Sequence, residues 1–234
     1  MANLLRYRGL ASMVSHHLNN PMKKQLILSC LCAALLASCS VFHKHADPLA
    51  FYDLKTQRLQ SSLDISKQKE RLHKRNILIS DASAPSWLDN TAIHYRLEFH
   101  NSAQLHRYAN SRWIASPTVM LTQKMRDQIA KSTGNPVIKN NNTAKAEYIL
   151  HIDLLEFTQV FDTVQQSHGS IALRASLVRN GTRNLLAQNY FSVQVAAPTS
   201  DAKGAVSALS YASDELTDKL IEWMIAELPA NTSH

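Results

Sequence analysis

Four stretches of this chain alternate apolar and polar side chains, and because successive side chains of a strand point to opposite faces, each must lie in a sheet with one face buried. Ile93, Tyr95, Leu97 and Phe99 alternate with His94, Arg96, Glu98 and His100. Within Glu147 to Phe157, Tyr148, Leu150, Ile152 and Leu154 face one way and His151 and Asp153 the other. Ile171, Leu173, Ala175 and Leu177 alternate with Arg174 and Ser176; after a turn at Asn180-Gly181, Ala187, Phe191, Val193 and Val195 alternate with Gln188, Tyr190, Ser192 and Gln194. An apolar sheet face needs a cover, and two segments have helical spacing. Ser116-Pro117 supplies a cap and a proline at the first helical position, and Leu121, Met125 and Ile129 follow at four-residue intervals, predicting a helix over Ser116–Lys131. Pro198 and Asp201 end the sheet and open a second helix, with Val206, Leu209, Leu216, Leu220 and Trp223 on one stripe and an end near Leu228-Pro229. Ile77-Leu78-Ile79 reads as a short strand and Phe51 to Leu54 as an edge strand, while the charged stretch Lys55 to Lys74 fits either linker or surface helix. The fold class that satisfies every apolar face is α+β: a two-layer, mostly antiparallel sheet with two helices on one face. Its other face, with Arg96, His151, Asp153 and Arg174, is left for water or a partner.

The N-terminus has its own grammar. From Met22 the chain reads Met-Lys-Lys-Gln, then an apolar run from Leu26 to Ala37, then Ser38-Cys39: a charged region, a short hydrophobic region and a small-residue cleavage site, the pattern of a signal peptide. A run of about a dozen apolar residues falls short of the ~20 that a membrane-spanning helix requires. Met22 sits where such a peptide should start, which makes residues 1–21 superfluous to it. Leu36-Ala37-Ser38-Cys39 is a lipobox and marks Cys39 for lipidation. All three cysteines, Cys30, Cys32 and Cys39, lie in or beside this run, so the mature chain has no internal disulfide, and an acyl-glycerol thioether accounts for its one remaining sulfur. At ~0.8 kcal/mol per buried methylene, three acyl chains hold a protein on a membrane. Ser40 after the cysteine is similar to an outer-membrane sorting signal. The expected organisation is a signal peptide over 1–38, a lipidated cysteine and tether over 39–74, a folded domain over 75–228 and a tail over 229–234.

Charge and motifs exclude several function classes. Of the formal charge of +7, four units belong to Arg6, Arg8, Lys23 and Lys24, ahead of Cys39 and with no acidic residue among them, which leaves +3 on the mature chain. Scattered charge of that size does not describe a nucleic-acid surface. The chain lacks the Gly-x-Ser-x-Gly elbow of a hydrolase, a phosphate-binding loop, a dinucleotide fingerprint and a His-Glu-x-x-His metal motif. His43-Lys44-His45 has poor metal-ligand spacing and reads as solvated tether. His168 beside Ser170 lies at a strand start with no evident orienting carboxylate, and is read as a surface turn. The expectation is therefore a non-enzyme with no cofactor beyond the covalent lipid. Trp87, Tyr108 and Trp113 are candidates for partner or lipid contact, with core packing the alternative. Lys124, Arg126 and Lys131 on the first helix are read either as contacts to anionic head groups or as a solvated face.

The run Ala84-Pro85-Ser86-Trp87-Leu88-Asp89-Asn90-Thr91-Ala92-Ile93-His94-Tyr95-Arg96-Leu97 resembles the central signature of the ABC-type transport auxiliary lipoprotein family. Tyr108-Ala109-Asn110-Ser111-Arg112-Trp113 with Ser116-Pro117, Glu156 to Asp162, Leu173 to Leu177 and Leu186-Ala187-Gln188 are similar to successive family blocks, so that the likeness spans Arg75 to about Trp223. It implies a periplasmic domain on an outer-membrane lipid anchor. The implied partners are an MCE-domain periplasmic protein, an inner-membrane permease and an ATPase that together move lipids between membranes. No catalytic residue is carried over from the family; Cys39 alone is. Lys55 to Lys74 departs from the shorter Pro- and Ala-rich linker of relatives. Exposed sheet edges would also allow a homo-oligomer. The alternatives are a structural envelope lipoprotein and a lipid-binding shuttle independent of an ABC transporter.

Overall fold

The computed structural model describes residues 48–55, 76–133 and 146–229, together with Gln25. The chain divides into two units, Met1–Asp47 and Pro48–His234, and apart from Gln25 the described residues belong to the second. The expected signal peptide apart from Gln25, Cys39, His43-Lys44-His45, all of Lys55 to Lys74 but Lys55, and the tail beyond Pro229 lie outside the described residues.

Among the described residues, seven strands and two helices follow in the order β1 (Ala50–Tyr52), β2 (Ile77–Ile79), β3 (Ala92–Leu97), β4 (Leu105–Trp113), α1 (Pro117–Thr133), β5 (Tyr148–Phe161), β6 (Ser167–Arg179), β7 (Asn184–Ala196) and α2 (Ala202–Glu227). They form one sheet in the order β1-β4-β3-β5-β6-β7, with β2 also on β5. The 14-residue β5 organises it. One side of β5 pairs along its whole length with β6; the other takes β2 in parallel at Tyr148–Leu150 and β3 in parallel at Gln159–Phe161. The long pairings, β5/β6 and β6/β7, are antiparallel, as their alternation and short turn predict; β1/β4, β2/β5 and β3/β5 are short and parallel. Those parallel pairings join segments distant in sequence, so no local turn announces them.

The α+β architecture read from the sequence is the one observed. Leu121, Met125 and Ile129 of α1 and Leu209, Leu216 and Leu220 of α2 are buried in one core with Leu150, Ile152, Leu154, Leu173, Ala175, Leu177 and Val193 of the sheet. Asp201 caps α2, its carboxylate accepting the Gly204 N–H at 2.8 Å. Small residues bring that helix close to the sheet: Ala205, Ala208 and Ala212 are fully buried, and a Cβ at Gly169 of β6 would stand 2.9 Å from the Ala208 Cβ.

Two features depart from the sequence reading. Alternation marks no strand between Phe99 and Ser116, yet these residues hold β4, whose pattern Leu-His-Arg-Tyr-Ala-Asn-Ser-Arg-Trp does not alternate. A register shift between Ala92 and His94 explains this: the irregularity against β3 resets which residues of β4 face the core. The predicted β3 alternation also fails at both ends. His94 is buried rather than exposed, and Phe99, beyond the strand, is exposed.

Candidate functional site

Sequence reasoning grouped Trp87, Tyr108 and Trp113, and the fold separates them. Trp113 ends β4 at 1% exposure, edge-on to Phe157 with ring centroids 5.5 Å apart, so it is a core residue. Tyr108 belongs to an aromatic cluster at the β3/β4 end of the sheet. Its hub is Tyr95, which stacks on His106 at 5.0 Å, meets Tyr108 at 4.8 Å and stands edge-on to Phe161 at 5.8 Å. The Tyr108 hydroxyl donates to Gln159 Oε1 at 2.5 Å, and Gln159 Nε2 donates to Ser167 Oγ at 2.8 Å. Burial, assisted by the charge of Asp201 and by Tyr95, pushes the Tyr108 phenol far above its ordinary value. It is therefore a fixed hydrogen-bond donor at any physiological pH and no base. Gln159, fully buried among aromatics, was not singled out from the sequence; a glutamine in the apolar register of a strand is the signal that could have found it.

Trp87 is 43% exposed on the loop before β3 and lies edge-on to His94, ring centroids 6.3 Å apart. Since side chains alternate along β3, His94 and Trp87 sit on the opposite side of the strand from Tyr95. Burial, and then the charge of Arg107, lowers the His94 pKa below its ordinary value, so the imidazole is neutral at pH 7. Among the described residues its Nδ1 has no hydrogen-bond partner.

The basic face of α1 is consumed within the fold. Lys124 Nζ lies 2.9 Å from Asp214 of α2, with both side chains almost fully buried, and also donates to the carbonyls of Ser210 at 3.1 Å and Lys55 at 3.2 Å. Burial pulls the Lys124 ammonium below its ordinary value, and Asp214 acts against that pull through a hydrogen bond and its charge. Arg126 clasps the Ile79 carbonyl through Nε and Nη2 and reaches Asp81 at 2.8 Å. Neither cation is available to a head group; Lys131 remains exposed.

His168 does have an orienting carboxylate, contrary to the sequence reading: β6 pairs back against the end of β5, and Asp162 Oδ2 lies 2.9 Å from His168 Nδ1. Ser170, however, is 2% exposed, which closes it to substrate. Among the described residues no three His, Cys, Asp or Glu side chains come together as a metal site would require, and no helix is long and apolar enough to cross a membrane.

What the domain offers is thus surface: an aromatic sheet end, a tryptophan on a buried histidine, and long strands. The chain belongs to the family of the ABC-type transport auxiliary lipoprotein component, whose model matches residues 52–220, more than half of the sequence. Among solved structures it is similar to a Xanthomonas campestris protein of the DUF330 family, at 20% identity and a TM-score of 0.59, over 65% of this chain and 85% of that one. An uncharacterized protein matches at 12% identity and a TM-score of 0.58, over 76% and 99% of the two chains. These likenesses show a shared fold. No curated protein matches the chain.

Proposed function

We propose that the protein is an outer-membrane-anchored periplasmic lipoprotein, lipidated at Cys39, that serves as a non-catalytic auxiliary component of an ABC/MCE-type intermembrane lipid transport system. It docks the transporter at the outer membrane. The observation that carries the reading is the family match over residues 52–220, which runs from the last residue of β1 to the last turns of α2. The lipobox Leu36-Ala37-Ser38-Cys39 supports the anchor, and Ser40 supports the outer-membrane destination. No chemistry is required of the domain. The ATPase supplies energy, the permease and the MCE-domain protein supply the route, and this chain supplies position. The Tyr95 cluster and Trp87 are the exposed or half-buried aromatics suited to anchor such a partner. The test is a pull-down of the tagged protein from detergent-solubilised envelopes, wild type against Cys39→Ala. The reading expects an MCE-domain protein with wild type and less of it with the variant. Its absence from both would leave a structural envelope lipoprotein or a lipid shuttle.

A further inference from the structure

The chain is already fixed to the sheet at β1. This strand lies parallel to β4, with Phe51 opposite Arg112 and Tyr52 opposite Trp113, and the Ile114 N–H donates to the Tyr52 carbonyl at 2.8 Å. Tyr52 and Leu54 turn inward, Leu54 as part of the core and Tyr52 packed against it. Side chains alternate along a strand, so Phe51, and Leu49 just before β1, point to the other face. Leu49, Phe51 and Ile114 are 50%, 63% and 65% exposed. Three large apolar side chains therefore stand in water beside the strand with which the domain begins.

Cations flank them. Arg112 is paired with Phe51, and its Nη1 donates to the carbonyls of Tyr108 and of Ser111, the latter at 2.8 Å. Lys55 is exposed just past β1. The acid between them in sequence, Asp53, accepts the Leu54 N–H through Oδ1 at 2.8 Å.

We propose that Leu49, Phe51 and Ile114 seat this end of the domain on a phospholipid surface, the one that holds the lipid on Cys39. The inference rests on the lipid anchor of the proposed function. Three observations select a lipid surface over a protein. Nine residues, 40–48, separate Cys39 from Leu49. An extended chain gains at most ~3.6 Å per residue, so no conformation carries Leu49 more than about 36 Å from the anchored cysteine. The patch then meets the membrane at an effective concentration that no freely diffusing partner matches. The patch is also small. Its three side chains expose on the order of 300 Å², against the ~800 Å² that each partner of a stable protein complex buries. Strand addition, finally, is poorly served here, because β1 has three residues and begins two positions after Pro48. Apolar side chains beside arginine and lysine are instead the composition of an interfacial anchor.

The test uses the chain from Cys39 onward, which has one cysteine. Its thiol is coupled to a maleimide phospholipid in vesicles of phosphatidylethanolamine and phosphatidylglycerol, so the tether is present whether or not the cell acylates Cys39. Acylation in the cell is read separately, by the mass of the protein from envelopes, and its absence defeats the anchor reading alone. Tryptophan is placed in turn at Phe51, Ile114 and Leu185, and brominated phospholipid serves as the quencher. Leu185 on β7 is the control: it is 57% exposed at the other end of the sheet order. The expected result is that Phe51→Trp and Ile114→Trp each add emission that the brominated lipid quenches, while the emission added by Leu185→Trp is untouched. No lipid quenching at Phe51 and Ile114 beyond that of the parent chain, or equal quenching at Leu185, would overturn the proposal.

Discussion

Lys124→Met should destabilise the domain by about 3–5 kcal/mol, the usual cost of removing one member of a buried ion pair. The side chains of Lys124 and Asp214 are 4% and 2% exposed and 2.9 Å apart, so the variant takes the counter-charge from a carboxylate that water does not reach. Gln128 Nε2 still donates to Asp214 at 2.8 Å, which places the cost toward the lower end, about 3 kcal/mol. The carbonyls of Ser210 and Lys55 lose the same donor, which loosens the chain after β1 as well as the α1/α2 contact. For a domain of this size about 2–4 °C of Tm accompanies each kcal/mol, so the expected drop is about 6–12 °C. Urea melts followed by far-UV circular dichroism, read as midpoints at constant m, measure it. The partner experiment is Lys124→Met with Asp214→Leu, which removes both charges and should recover much of the loss, because paired buried charges cost desolvation that an apolar pair avoids. A single variant within about 1 kcal/mol of wild type, or a double variant no better than the single, would refute the claim that the pair is desolvated and mutually dependent.

Other expectations follow from the same structure. Gly169→Ala places a Cβ 2.9 Å from both the Ala208 Cβ and the Leu209 nitrogen, forcing α2 off β6 at a cost of about 1–3 kcal/mol, whereas Gly181→Ala opens into free space and should stay within about 0.5 kcal/mol in the same melts. Asp201→Ala removes the cap of α2 and should cost about 1 kcal/mol near neutrality. The Thr199 hydroxyl first, and then the Gly204 N–H, hold the Asp201 pKa below its ordinary 3.8, so this contribution is present above that pH and is lost as pH falls through the lowered folded value. Melts from neutral pH into acid should therefore show wild type and variant converging, and a constant gap would contradict the cap. His94 is depressed by burial and by Arg107, so the unfolded chain takes up its proton first as pH falls below 6.5. Stability should decline from there down to the lowered folded value, and His94→Gln should flatten that part of the profile.

Strict alternation made β5, β6 and β7 legible, since their long antiparallel pairing gives each residue one fixed face. The stripes of α1 and α2 were legible for the same reason at helical period. β4 was not, because its register against β3 is reset partway by an irregularity that leaves no periodic trace. His94 was misplaced since alternation assumes a wet second face, which fails beside Trp87. Lys124 and Arg126 looked like solvent cations for a related reason: sequence shows a charge but not the Asp214 and Ile79 carbonyl that meet it from elsewhere in the chain. The three aromatic candidates come from one part of the chain yet divide among core, sheet end and loop, a sorting that β3 and β4 impose only once paired.

The central claim, that this lipoprotein ties an inner-membrane lipid transporter to the outer membrane, is tested most directly by fractionating the two membranes of cells that carry the complete system. With wild-type protein, light crosslinking should bring the MCE-domain protein and its permease into the outer-membrane fraction along with this chain. With Cys39→Ala the transporter should remain in the inner-membrane fraction while the unanchored domain is recovered in the periplasm. Equal distribution of the MCE-domain protein in both strains would contradict the docking role.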